Sequence, residues 1–79
     1  VSIPDHLQWA RYAGFHLSRA VRYERMGNVR VRDHATEVRA PAAARVERYW
    51  VHRFRLQATG TPVKEASAAA KVAVWGPEG

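Results

Sequence analysis

Apolar residues recur at steps of three and four through the first 26 residues of the chain, then switch to steps of two. Leu7, Ala10, Gly14, Leu17 and Val21 form one row at helical spacing, and Trp9, Ala13, His16, Ala20 and Tyr23 form an adjoining one. Together they predict a helix with a broad apolar face. Arg11, Phe15, Ser18, Arg19, Arg22 and Arg25 fall on the opposite side. A Ser2-x-x-Asp5 pattern with Pro4 in the first turn marks the helix start, and Gly27-Asn28 marks its stop. The first helix is therefore expected over about residues 3–26.

In the next segment Val29 and Val31 alternate with Arg30 and Arg32, the period of a short strand. Val38 is placed to pair back across a turn near Asp33 and His34, giving a small hairpin at about residues 28–39. Pro41 suits a first helical position and disfavours helical geometry at Ala40, so a second helix is expected over about 41–58, closed by Gly60. Thr61-Pro62 then opens a third, at about 62–75, ending before Gly76-Pro77. Its Ala66, Ala69, Ala70 and Ala73 offer a low face that lets another helix approach. The predicted fold is mainly α, three helices with a short β-hairpin, in one small basic domain spanning 1–79.

The stretch RVERYWVHRFRLQ, residues 45–57, interleaves aromatics with cations. At about 100° per residue a helix separates them. Val46, Tyr49, Trp50 and Phe54 gather with Ala42 and Ala43 on an apolar side, while Arg45, Arg48, His52 and Arg55 form a cationic ridge with only Glu47 near its edge. Solvated helix faces usually mix signs to gain i,i+4 pairing, so a ridge short of acids points toward phosphate contact. Arg53 projects among the apolar positions and is expected to lie along Trp50 or to pair with a carboxylate.

Composition changes this picture in two ways. Of 79 residues 47% are hydrophobic, but Ala and Val dominate and only three are leucine, so the eight aromatics are expected to supply the core. With no cysteine, a chain this small has neither disulfide nor thiolate-metal staple, which favours a homodimer or a subunit of a complex. The formal charge is +6, and it is uneven. Arginines concentrate before residue 58, whereas the last segment balances Lys64 and Lys71 with Glu65 and Glu78. Such a field favours nucleic acid, DNA in the first place, or an acidic protein surface. The Arg and Ala bias suggests a GC-rich bacterial or phage source. No apolar run reaches the roughly 20 residues that span a bilayer and no signal-peptide pattern opens the chain, so a cytoplasmic or virion-internal setting is expected.

Motif chemistry is sparse. The histidines at 6, 16, 34 and 52 show no His-x-x-x-His spacing and no cysteine lies near them, so no metal site or cofactor is expected. Neither a Gly-x-Gly-x-x-Gly nor a P-loop occurs, no serine has a partner at motif spacing, and an enzyme is not expected. A helix-turn-helix reading of the second and third helices fails because the third offers only Lys64, Ser67 and Lys71 to read bases. The expected function is a regulator or accessory factor that binds nucleic acid through phosphates. Its contacts would be Arg22, Arg25, Arg45, Arg48, His52 and Arg55, with Arg30 and Arg32 added by the hairpin. The alternative is a protein-interaction subunit, an antitoxin, inhibitor or virion accessory protein, docking on an acidic or apolar partner.

Overall fold

A computed structural model describes residues 5–77 of the chain. Helix α1 spans Asp5–Met26, strands β1 and β2 span Arg30–Asp33 and Thr36–Arg39, helix α2 spans Ala40–Ala58 and helix α3 spans Val63–Trp75. The architecture is the mainly helical one that the periodicity predicts. The Ser2 and Pro4 start signal of the first helix lies outside the described residues.

Each boundary has a local cause. Gly27, at φ 77°, takes the left-handed conformation that closes a helix, and Val29 then donates its N–H to the Gly27 carbonyl. The hairpin is antiparallel, pairing Arg30 with Arg39, Val31 with Val38, Arg32 with Glu37 and Asp33 with Thr36. Its two-residue turn is led by His34 at φ 57°, a conformation that histidine tolerates better than most side chains. The ribbon feeds straight into α2. Arg39 is the N-cap in extended geometry, and the Ala40 N–H closes the ribbon on the Val29 carbonyl. The helix therefore begins at Ala40, one residue before the predicted start, with Pro41 inside the first turn where its missing N–H costs nothing.

Helices α1 and α2 pack antiparallel, since Trp9 meets Phe54, His16 meets Glu47 and Trp50, and Glu24 meets Arg48. Where they converge the seam is built from small residues. Ala20, Ala40 and Ala43 are wholly buried and Ala44 nearly so, with Tyr23 lying against the α2 alanines and Val31 and Val38 of the hairpin closing the cluster. At the other end of the seam the gap is filled by rings: Trp9 stacks on Phe54 at 5.6 Å, and Phe54 on Trp50 at 5.4 Å. Helix α3 packs on α2 and not on α1, through buried Ala66 and Ala70 and a 2.8 Å hydrogen bond between the Tyr49 and Ser67 hydroxyls.

This placement corrects three sequence expectations. Of the two apolar rows on α1, the one through Ala13, Ala20 and Tyr23 is buried, whereas Leu7, Ala10 and Gly14 are exposed because α3 does not cross to cover them. Arg19, expected on the outer face, turns inward. On α2 the side facing α1 is Ala43, Ala44, Glu47 and Val51, and both Ala42 and Val46 are exposed. Because α2 lies between two helices it buries two sides, and a single-face reading of its pattern assigns the wrong phase. Among the described residues no helix is long and apolar enough to cross a membrane.

Candidate nucleic-acid interface

The expected phosphate contacts fall into three environments. Arg45 and Arg55 on α2 and Arg22 and Arg25 on α1 are exposed, and among the described residues none of the four takes part in a salt bridge. Arg30 and Arg32, on the outer side of the hairpin, share Glu37 at 3.8 and 3.4 Å while staying two-thirds exposed. Arg48 is different. Its Nε and Nη2 donate to both oxygens of Glu24 at 2.9 and 2.8 Å, a fork that ties α2 to α1. The Arg48 hydrogen bonds hold the Glu24 carboxyl below its usual range, and the same bonds raise Arg48. His52 is half-buried in the middle of the ridge.

The ridge therefore exists as Arg45, His52 and Arg55, with Arg48 neutralised from the neighbouring helix. Glu47, read from the sequence as the acid at its edge, is fully enclosed on the opposite side of α2. Sequence neighbours did not reveal Glu24 as the compensating charge, since it comes from 24 residues away. The four exposed arginines do not share one face either. On α1 both Arg22 and Arg25 lie on the side turned away from α2, whereas Arg45 and Arg55 belong to α2.

The remaining acids explain why the surface is so basic. Arg19 donates from Nε to Glu47 and from Nη2 to Asp33 (2.7 Å) and to the Tyr23 hydroxyl (3.1 Å), while Tyr23 donates on to Asp33 at 3.2 Å. His16 Nδ1 lies 3.1 Å from Glu47 Oε2, and His34 Nε2 approaches the same oxygen to 3.9 Å. Asp33 and Glu47 are both buried and every buried side-chain polar atom among the described residues has a partner. The Asp33 hydrogen bond, with Glu47 adding to it against the effect of burial, keeps Arg19 charged above its ordinary value. Burial, followed by the Asp33 charge, pushes the Tyr23 hydroxyl up, so it stays protonated as a donor. Enclosing Asp33 and Glu47 beneath a partly covered Arg19 leaves twelve cations against five acids for the rest of the chain.

Sequence spacing missed this cluster. His16, Asp33, His34 and Glu47 sit on α1, the hairpin and α2, so no spacing within one element marks them. The helical period of α2 placed Glu47 beside the cationic ridge, so nothing in the sequence marked it as enclosed. Beside the cluster, Tyr12, Phe15, His16, His34 and Phe54 line an open cleft of about 540 Å³. On the far side of α2, Arg53 lies over Trp50 at 5.0 Å, as its position predicts, and donates to Gln57 and to the Tyr49 hydroxyl. Burial alone would raise Tyr49, but the hydrogen bonds with Ser67 and Arg53 bring it below its ordinary value.

The chain matches no protein-family model, and no curated protein or solved structure is significantly similar to it.

Proposed function

We propose that this protein is a small nucleic-acid-binding module, a regulator or accessory factor rather than an enzyme, that grips phosphates through its arginines. The observation that supports the reading is the sorting of charge. Two of the seven acids are spent inside the fold on one arginine and a third is locked onto Arg48, while Arg22, Arg25, Arg45 and Arg55 stay exposed and outside any salt bridge among the described residues. Exposed cations without local acids lose little on meeting a phosphate and release its condensed counterions. They carry no sequence information, so affinity without strong sequence preference is the expected behaviour. Two phosphate contacts from one helix correspond to a slope of log K against log salt of about −1.8 on duplex DNA, and contact by all four to about −3.6. Fluorescence anisotropy with a labelled duplex across a salt series measures it, and a flat response would remove this reading.

A second reading is favoured by a separate observation. Leu7, Tyr12, Phe15, Val63, Val72 and Trp75 are exposed large apolar residues on α1 and α3, the kind of surface that docks on a protein partner or a second copy of the chain. A chain free of nucleic acid after low-salt purification, and soluble only with a co-expressed partner, would favour that reading over the first.

A further inference from the structure

We propose that His16, His34 and Glu47 form a binding site for a divalent transition-metal ion of the zinc type, with an open coordination position facing the aromatic cleft. One ligand atom from each residue lies within 4.8 Å of the other two. The separations along Glu47 Oε2 are 3.1 Å to His16 Nδ1 and 3.9 Å to His34 Nε2. Tetrahedral zinc with bonds of about 2.0–2.1 Å requires its ligands roughly 3.4 Å apart, so the three groups need shifts of about half an ångström to more than one. Two imidazoles and one carboxylate are a donor set that suits zinc and leaves a fourth position free, as in sites where the ion binds an exogenous ligand.

The surroundings fit a cation. Arg19 is shared between Asp33 and Glu47, so two buried carboxylates face a single fixed positive charge. Glu47 accepts from Arg19 at Oε1 and lies against His16 Nδ1 with both oxygens, at 3.2 and 3.1 Å, so Arg19 orients the carboxylate as a partner behind a metal ligand does. His16 is held by its stack on Trp50 at 5.9 Å and on Phe54 at 5.6 Å. His34 stands half-exposed at the mouth, on the positive-φ turn. Both histidines line the 540 Å³ cleft, whose other walls are Tyr12, Phe15 and Phe54, so the free position opens onto an apolar, ring-lined space. The ion would join α1, the hairpin turn and α2 at one point, supplying the cross-link that a cysteine-free chain of this size otherwise lacks.

The test uses the full chain, stripped with a chelator, and zinc itself as the probe. Calorimetric titration in a non-coordinating buffer should find one site, and cobalt should give the intense visible absorption of a four- or five-coordinate ion. Zinc at a hundredfold excess over Kd should raise Tm by roughly 10 to 20 °C. His34→Asn keeps a residue that tolerates the turn geometry and removes the ligand. It should weaken zinc by more than the roughly 10- to 100-fold that loss of an outer partner costs, whereas His6→Gln and His52→Gln should leave affinity unchanged. In the unmodified protein the ring nitrogens of His16 and His34, and not those of His6 and His52, should shift in the NMR spectrum when zinc is added. The proposal fails if no stoichiometric site is found, if the His34 variant binds as tightly, or if the shifts appear at His6 and His52.

Discussion

Glu47, fully enclosed on α2, accepts the Nε–H of Arg19 across the seam to α1. A buried charge left without its partner is costly, whereas a neutral group of the same shape is not. Arg19→Met leaves both Asp33 and Glu47 without their cation and should cost about 3 to 5 kcal/mol, comparable to the whole contribution of a small core. Glu47→Gln retains an acceptor for Arg19 and should cost clearly less. Urea denaturation of the two variants measures both, and equal losses would mean that an uncompensated buried charge is not what makes Arg19→Met costly.

Arg48 and Arg55 share one helical face by sequence, yet only Arg48 is held by Glu24. Arg55→Gln should reduce the magnitude of the salt slope by about one while changing stability by less than about 0.5 kcal/mol. Arg48→Gln should leave the slope nearly unchanged. Glu24→Gln should release Arg48 and steepen the slope by about one. Anisotropy titrations over a salt series separate the three.

Arg53, although two residues from Arg55, spends its guanidinium on Trp50, Gln57 and Tyr49. Arg53→Gln should lower stability by about 1 kcal/mol, the scale of a partly desolvated cation–π contact, and leave the salt slope alone. Identical behaviour of Arg53 and Arg55 variants in both assays would contradict this placement.

The acid side of the pH profile should carry the Glu24–Arg48 pair. Glu24 is held below its ordinary value of 4.5, so its contribution to stability is complete above that value and disappears as pH falls through the lower, folded one. Both groups are partly exposed, so the effect on Tm should be small and screened by salt. Carbon-detected NMR titration of the Glu24 carboxyl should show the depressed midpoint, which returns to normal in Arg48→Gln. An unchanged midpoint in that variant would assign the depression elsewhere.

The three tryptophans should quench unequally. Trp75, at 39% exposure, should be the most accessible to iodide or acrylamide, with Trp9 and Trp50 partly shielded in the seam. Trp50→Ala removes ring stacks with Phe54 and His16 and should cost about 3 kcal/mol. Single-tryptophan variants read by Stern–Volmer analysis test the order.

What the linear pattern reveals is local. Helix limits follow from Gly27, Pro41, Gly60 and Gly76, and the hairpin register from the alternation around Val31 and Val38. These features depend on backbone preferences within a few residues, which is why they survive without tertiary context. The outward positions of Arg22, Arg25, Arg45 and Arg55 were legible for the same reason, since no apolar period claims them.

Charge pairing and burial, in contrast, were decided only when the helices met. Glu47 looked like a surface acid until α1 brought Arg19 and His16 against it, and Arg48 looked free until Glu24 arrived from 24 residues away. A helical period gives the angle of each side chain about its own axis but not which angles face a neighbour. For α2, with α1 on one side and α3 on the other, two arcs are covered, so a polar residue on the α1 side had to find its partners across the seam. Sequence alone determined the elements and most of the cationic surface. The tertiary structure decided which charges remain on that surface, because desolvation makes an enclosed carboxylate stable only where cations and donors from other elements converge on it.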